Sequence, residues 1–265
     1  MSATLKLTER LHCRGPLCIG LDPDPRLIPS CVHGDVGVFL REIILATAEF
    51  ACAYKVNAAF FEALGISGMH LLERVRKLLP SDSYLVWDAK RGDITNTNRH
   101  YAKSAFSVWN ADAVTVSPYL GFDSLSPFFD YSNRLTFVLC ATSEGTELQE
   151  LETLPDRKPL WLWVAKQAAK RSRGQIGLVV GATHPDRIRA VREVAKDIPL
   201  LVPGVGAQGG DIPSQPALVN VSRSILYASA DADFAACAHA AAKSFHQRLL
   251  SAAKEPPHHD HSAHF

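Results

Sequence analysis

Short apolar runs rich in β-branched residues recur along the chain, at Leu17–Leu21, Ala53–Val56, Tyr84–Trp87, Ala113–Val116, Thr136–Cys140, Ile176–Val180, Leu200–Val202 and Ala217–Val221. Several are hydrophobic almost without interruption, which suits parallel strands buried on both faces. The stretches between them carry a helical period. Ile188, Val191, Val194 and Ile198 fall on one helical face, and so do Phe234, Ala238, Ala241, Phe245 and Leu249. Eight strand–helix units of this size predict an α/β protein with a (β/α)8 (TIM) barrel, a doubly wound open sheet being the alternative. No linker, repeat or low-complexity break divides residues 1–254, so one domain is expected there. Residues 255–265 are rich in Pro and His and read as a linker or disordered tail.

Composition narrows the function classes. The chain has 265 residues and a formal charge of +1, with 47% hydrophobic and 21% charged residues. A barrel of this type takes roughly 250 residues. Near-neutral charge offers no bulk attraction for nucleic acid or an anionic membrane. No apolar run approaches the ~20 residues that span a bilayer, and Met1–Lys6 shows no signal-peptide hydrophobic region. Six cysteines are scattered without a CxxC pair, which predicts a reducing compartment and thiols buried as small hydrophobes.

Polar residues gather where the strands end. Asp22 follows the first and Lys55 lies in the second. Asp88, Lys90 and Asp93 follow the third, Ser143 the fifth, Gly204 to Gln208 the seventh and Arg223 the eighth. In a barrel these ends converge on one rim, where active sites form. Singly, each has a plainer reading: Asp22 before Pro23 as a turn former, Lys55 as a snorkelling side chain. In Asp88-Ala89-Lys90-Arg91-Gly92-Asp93-Ile94, strand parity points Asp88 and Lys90 inward together. Neighbouring carboxylates would keep the ammonium protonated. The alternative is a surface salt-bridge turn with Asp93 as a helix N-cap. Gly204-Val205-Gly206-Ala207-Gln208-Gly209 matches GxGxxG but follows a late strand and runs into Pro213 and Pro216, unlike a dinucleotide fingerprint. With Arg223 it fits the barrel phosphate site after strands seven and eight, the alternative being a loop beside a capping arginine.

These segments together resemble the orotidine 5′-monophosphate decarboxylase family, in its bacterial-type (type 2) branch. The resemblance rests on Cys18–Pro25, Lys55–Glu62, Asp88–Ile94, Ser117–Gly121, Pro203–Gly210 and Val219–Arg223, and spans nearly the whole chain. The D-x-K-x-x-D-I motif is shared with sugar-phosphate decarboxylases, whereas its combination with GLDPDP, FFEALG and PGVGAQGG is specific. The resemblance implies decarboxylation of orotidine 5′-monophosphate to UMP, the last step of de novo pyrimidine nucleotide synthesis, without metal or cofactor. Lys90 would be the proton donor, with Lys55, Asp88 and Asp93 completing a charged array. Asp22 would bond the ribose, Ser143 the pyrimidine edge, and Gly206, Gln208 and Arg223 the phosphate. Asp93 and Thr97 would reach the partner's site in a homodimer. Family members occur alone or fused to orotate phosphoribosyltransferase, for which the tail would serve as linker. No Ser-Lys-Leu end is present, so cytoplasm is expected, with a peroxisome-like organelle as the alternative for a fused protist enzyme. Two departures stand out: residues 142–148 are shorter than the usual Asn-Pro-Gly loop, and Thr95 replaces a common glycine.

Overall fold

All eight predicted runs form strands, and they close into one parallel barrel. The computed structural model describes residues 2–142, 146–153, 157–206, 209–210 and 217–253. The strands are β1 (Leu17–Leu21), β2 (Ala53–Asn57), β3 (Tyr84–Arg91), β4 (Ala113–Val116), β5 (Leu135–Ala141), β6 (Ile176–Val180), β7 (Leu200–Pro203) and β8 (Leu218–Val221). They pair in sequence order, and β1 joins β8 to shut the ring. The open-sheet alternative is thereby excluded. A small antiparallel ribbon, Glu152–Thr153 with Lys158–Pro159, lies outside the barrel.

The helices are α1 (Ala3–Arg14), α2 (Val36–Thr47), α3 (Ala58–Glu62), α4 (Gly65–Leu78), α5 (Thr95–Lys103), α6 (Ser126–Phe129), α7 (Thr146–Gln149), α8 (Leu160–Arg171), α9 (Pro185–Val194), α10 (Arg223–Leu226) and α11 (Phe234–Ala252). Starts are set by local chemistry. Asp35 caps α2 by accepting from Gly37 N at 2.8 Å and Val38 N at 3.1 Å. Pro185 opens α9, where its missing N–H costs nothing. Helices alternate with the strands as expected, and among the described residues the connection from β7 to β8 carries none. That connection is the glycine- and proline-rich stretch, whose composition disfavours helix. The predicted α9 face is also shorter than expected: Ile188 and Val191 are buried in the helix, while Ile198 packs from the loop beyond it.

Strand parity divides the core in two. Outward residues such as Ile19, Tyr54, Trp87, Val114 and Leu178 pack against the surrounding helices. Inward residues Cys18, Ala53, Tyr84, Val86, Ala113, Leu135, Phe137, Val179, Leu201 and Leu218 fill the barrel, and Ala3 and Leu7 of α1 close its N-terminal end. Lys6 of α1 fixes that plug by pairing with Asp112, which also accepts from Leu85 N at 2.9 Å. The opposite end is left for polar residues. Burial pushes the Cys52 thiol up to about 11 and Cys140 up to about 12, so these behave as inert apolar groups, as does buried Cys18. The expectation of buried cysteines fails at Cys13 and Cys31, which are exposed on α1 and in the turn Ser30–Val32.

Candidate active site

At the C-terminal ends of the strands the barrel opens into a cavity of about 870 Å³, lined by Asp22, Lys55, Asp88, Lys90 and Arg223 among others. Residues from four distant segments of the chain thus face one space. Gly20 makes the room. A Cβ at this inward position of β1 would sit 1.8 Å from Ser222 Oγ and 3.1 Å from Asn220 Oδ1. An alanine there would drive a methyl into the mouth.

The charged groups form a chain. Lys55 Nζ donates to Asp88 Oδ2 at 2.7 Å and lies 3.7 Å from Asp22 Oδ1. Lys90 Nζ donates to Asp88 Oδ1 at 2.7 Å, and Thr115 Oγ1 donates to the same oxygen at 2.8 Å. The Lys55 and Asp88 side chains are 5% and 9% exposed, so their charges persist only because they compensate one another. Burial opposes the Lys55 ammonium, but Asp22 and Asp88 outweigh it and hold it above the usual lysine range. Burial likewise opposes the Asp88 carboxylate, and Lys55 with Lys90 holds it below the usual carboxylate range. Lys90 is the accessible member, with half of its side chain exposed.

The remaining lining is divided by chemistry. Leu139, Val179 and Leu201 give apolar walls, and Asn220 and Ser222 add polar groups. Asp22 Oδ1 and Asn220 Oδ1 are buried without a hydrogen-bond donor. Arg223, first residue of α10, is exposed and has no ion-pair partner among the described residues. Gly204 and Val205 line the same cavity. Gly206 holds φ +87° and packs so tightly that a Cβ would lie 2.7 Å from Ser224 Oγ, although the residue does not itself line the cavity. Among the described residues no three His, Cys, Asp or Glu side chains are grouped to hold a metal.

Other expected residues fall elsewhere. Asp93 and Thr97 do not line this cavity. Asp93 is not the N-cap residue of α5; that position is Ile94, whose N–H donates to Asp93 Oδ1 at 2.6 Å. Asn98 braces the turn, accepting from Asp93 N and donating to the carbonyls of Asp93 and Ser124. Ser143, Gln208 and the 255–265 tail lie outside the described residues. Asp88 and Lys90 do share the cavity, but strand parity alone does not bring Lys90 there. β3 is irregular here, and Lys90 reaches Asp88 from a left-handed backbone with φ +46°. Sequence reasoning missed Thr115, Asn220 and Tyr227. The first two were findable as polar residues in the inward register of apolar strands. Tyr227 had no such signal. Its hydroxyl accepts from Asp24 N at 2.6 Å and donates to Asp22 O at 3.1 Å, which fixes the loop carrying Asp22.

Comparison with known proteins gives the same direction. The sequence profile of the "Orotidine 5′-phosphate decarboxylase / HUMPS family" matches residues 15–238. The orotidine 5′-phosphate decarboxylase of Roseiflexus castenholzii is 46% identical over 253 residues, 89% of this chain and 92% of that one. That of Herpetosiphon aurantiacus is 45% identical over 245 residues, 88% and 91% of the two chains. Among solved structures, Leishmania donovani OMP decarboxylase superposes with a TM-score of 0.81 at 39% identity, covering 95% of this chain and 99% of that one. Leishmania donovani UMP synthase gives 0.83 at 39% identity, but this chain spans only 56% of its length. Fold, motif set and relatives therefore agree, and this chain belongs to the orotidine 5′-phosphate decarboxylase family.

Proposed function

We propose that the chain decarboxylates orotidine 5′-monophosphate to UMP with its own side chains, needing neither metal nor cofactor. The observation that carries this reading is the Lys55–Asp88–Lys90 chain facing the same cavity as Arg223, which has no ion-pair partner among the described residues. Arg223, with the Gly204–Gly206 backbone and Gln208, holds the 5′-phosphate. Asp22 accepts from a ribose hydroxyl through Oδ1, which faces Lys55 at 3.7 Å but accepts no hydrogen bond among the described residues. The pyrimidine ring lies against Leu139, Val179 and Leu201, and Ser143 reads its polar edge.

In the reaction the bond from C6 to the carboxylate breaks and its electron pair stays on C6 as CO2 leaves. The resulting vinyl carbanion has no adjacent π system to take the charge. The Lys90 ammonium, already fixed by Asp88, stabilises it and then transfers a proton to C6. Solvent returns the proton to Lys90, whose half-exposed side chain gives access. Asp88 repels the substrate carboxylate and loses that repulsion when CO2 departs. Phosphate and ribose contacts supply binding energy that is realised at the reacting carbon.

A homodimer with shared sites completes the reading: Asp93 and Thr97 serve the partner's cavity. It is supported by their position off their own cavity and by exposed Ile66, Ile94, Tyr119 and Leu120 on the rim after β2, β3 and β4. Cytoplasmic location follows the bacterial-type relatives, and no described helix is long and apolar enough to cross a membrane. The UMP synthase likeness supports the same barrel occurring fused to an orotate phosphoribosyltransferase unit. The experiment is loss of orotidylate absorbance, with and without EDTA, with UMP identified as product. Full activity in EDTA is expected. Activity surviving EDTA with UMP as product excludes a magnesium-dependent sugar-phosphate decarboxylase, EDTA-sensitive turnover overturns the metal-free reading, and UMP binding without CO2 release would indicate a nucleotide-binding barrel.

A further inference from the structure

The ladder between β3 and β4 pairs Trp87 with Val114 and then Arg91 with Val116, so four steps on one strand match two on the other. The surplus residues bulge at the cavity mouth, as is common next to functional sites. Lys90, within this bulge, holds φ +46°, a conformation that costs a side-chain-bearing residue unless its surroundings enforce it. Across from the bulge stands Thr115, 1% exposed and pointing inward from β4. Its hydroxyl accepts from Lys90 N at 3.0 Å and donates to Asp88 Oδ1 at 2.8 Å. That oxygen also accepts from Lys90 Nζ at 2.7 Å. The three contacts close a ring that begins at the backbone of Lys90 and ends at its own ammonium.

We propose that Thr115 is a positioning residue for the reaction: its hydroxyl takes the place of a strand partner for the bulged Lys90 amide and thereby aims the Lys90 ammonium. The inference rests on the decarboxylase reading for its kinetic consequence, though its geometry does not. A hydroxyl group is not needed here for burial alone. Thr136, equally buried on neighbouring β5, has no hydrogen-bond partner for its Oγ1 among the described residues. At Thr115 both the donor and the acceptor function are used. A valine would fill the same volume, leaving the Lys90 amide unpaired and Asp88 one donor short.

The test compares wild type, Thr115→Val and Thr115→Ser, with Thr115→Ala in reserve if the valine variant does not fold. Expected for Thr115→Val is a kcat loss of about ten- to a hundredfold, the range for losing a hydrogen bond to a charged group. UMP affinity should stay within about threefold, because phosphate and ribose contacts are untouched, and Thr115→Ser should restore most of kcat. A valine variant within about twofold of wild-type kcat overturns the proposal, as does a loss that serine does not rescue or that appears equally in UMP affinity. If wild type itself releases no CO2 from orotidylate, the decarboxylase reading fails and a crystal structure of Thr115→Val decides this one. Lys90 leaving positive φ supports the role of Thr115, and an unchanged Lys90 backbone overturns it.

Discussion

Replacing Asp88 by Asn keeps the shape of the side chain and removes the one negative charge that joins both lysines. Lys55 loses a buried partner at 2.7 Å but keeps Asp22 at 3.7 Å. Lys90, half exposed, turns to solvent, so its share is that of an exposed pair, about 0.2–1 kcal/mol. Breaking a buried ion pair costs about 3–5 kcal/mol, and the surviving Asp22 contact places this variant at the low end, about 3 kcal/mol. For a domain of this size that corresponds to roughly 6–12 °C in Tm. The pH dependence has a definite sign. Asp88 is held below the ordinary carboxylate value of about 3.9, so its stabilisation is complete above that pH and fades as pH falls through its native value. Lys55 is held above the ordinary value of about 10.4, so its contribution is complete below that and fades only at higher pH. The difference between Asp88→Asn and wild type is therefore flat across neutral pH and narrows in acid. Urea unfolding followed by circular dichroism at pH 7 and at successively lower pH measures it, alongside orotidylate turnover. An Asn variant as stable as wild type at pH 7, or a gap that widens on acidification, would refute the mutual compensation of these charges.

Lys90→Ala should abolish turnover with the fold and UMP binding retained; each 1.4 kcal/mol of lost transition-state stabilisation is about tenfold in rate, and a variant within about tenfold of wild type removes Lys90 from the mechanism. Arg223→Ala should weaken UMP far more than uridine, measured by calorimetry; an unchanged UMP-to-uridine ratio means another group holds the phosphate. Mixing Lys90→Ala with Asp93→Ala subunits should return about a quarter of wild-type activity, because about half the dimers are mixed and each holds one intact site of two. No recovery after verified subunit exchange sinks the shared-site dimer.

Much of the barrel was legible because its cause is local. A strand covered on both sides needs apolar residues at every position, and all eight such runs became strands where the sequence placed them. Parity then predicts which face a residue takes, and so it put Asp88 on the inner surface, where Lys55 of β2 meets it. The glycine- and proline-rich connection between β7 and β8 was also visible. Motif resemblance gathered Asp22, Lys55, Asp88, Lys90 and Arg223 into one site, and the closed ring brings them to one cavity.

Other features come from contacts between strands that no local pattern encodes. Lys90 reaches Asp88 from a bulge whose existence depends on how β3 registers against β4, and a period of two read along β3 alone assumes that no bulge is there. Thr115 acquires its role only because that bulge leaves an amide opposite its hydroxyl. Tyr227 ties down the loop of Asp22 from the far end of the chain, a contact made when β8 closes against β1. Tertiary neighbours decide the charge states as well: burial opposes ionisation of both Lys55 and Asp88, and only their pairing with one another, with Asp22 and with Lys90, keeps them charged out of water. Sequence determined the strands and the residue types at their ends; tertiary closure set the register, the distances and the dielectric, because these depend on neighbours that are remote along the chain.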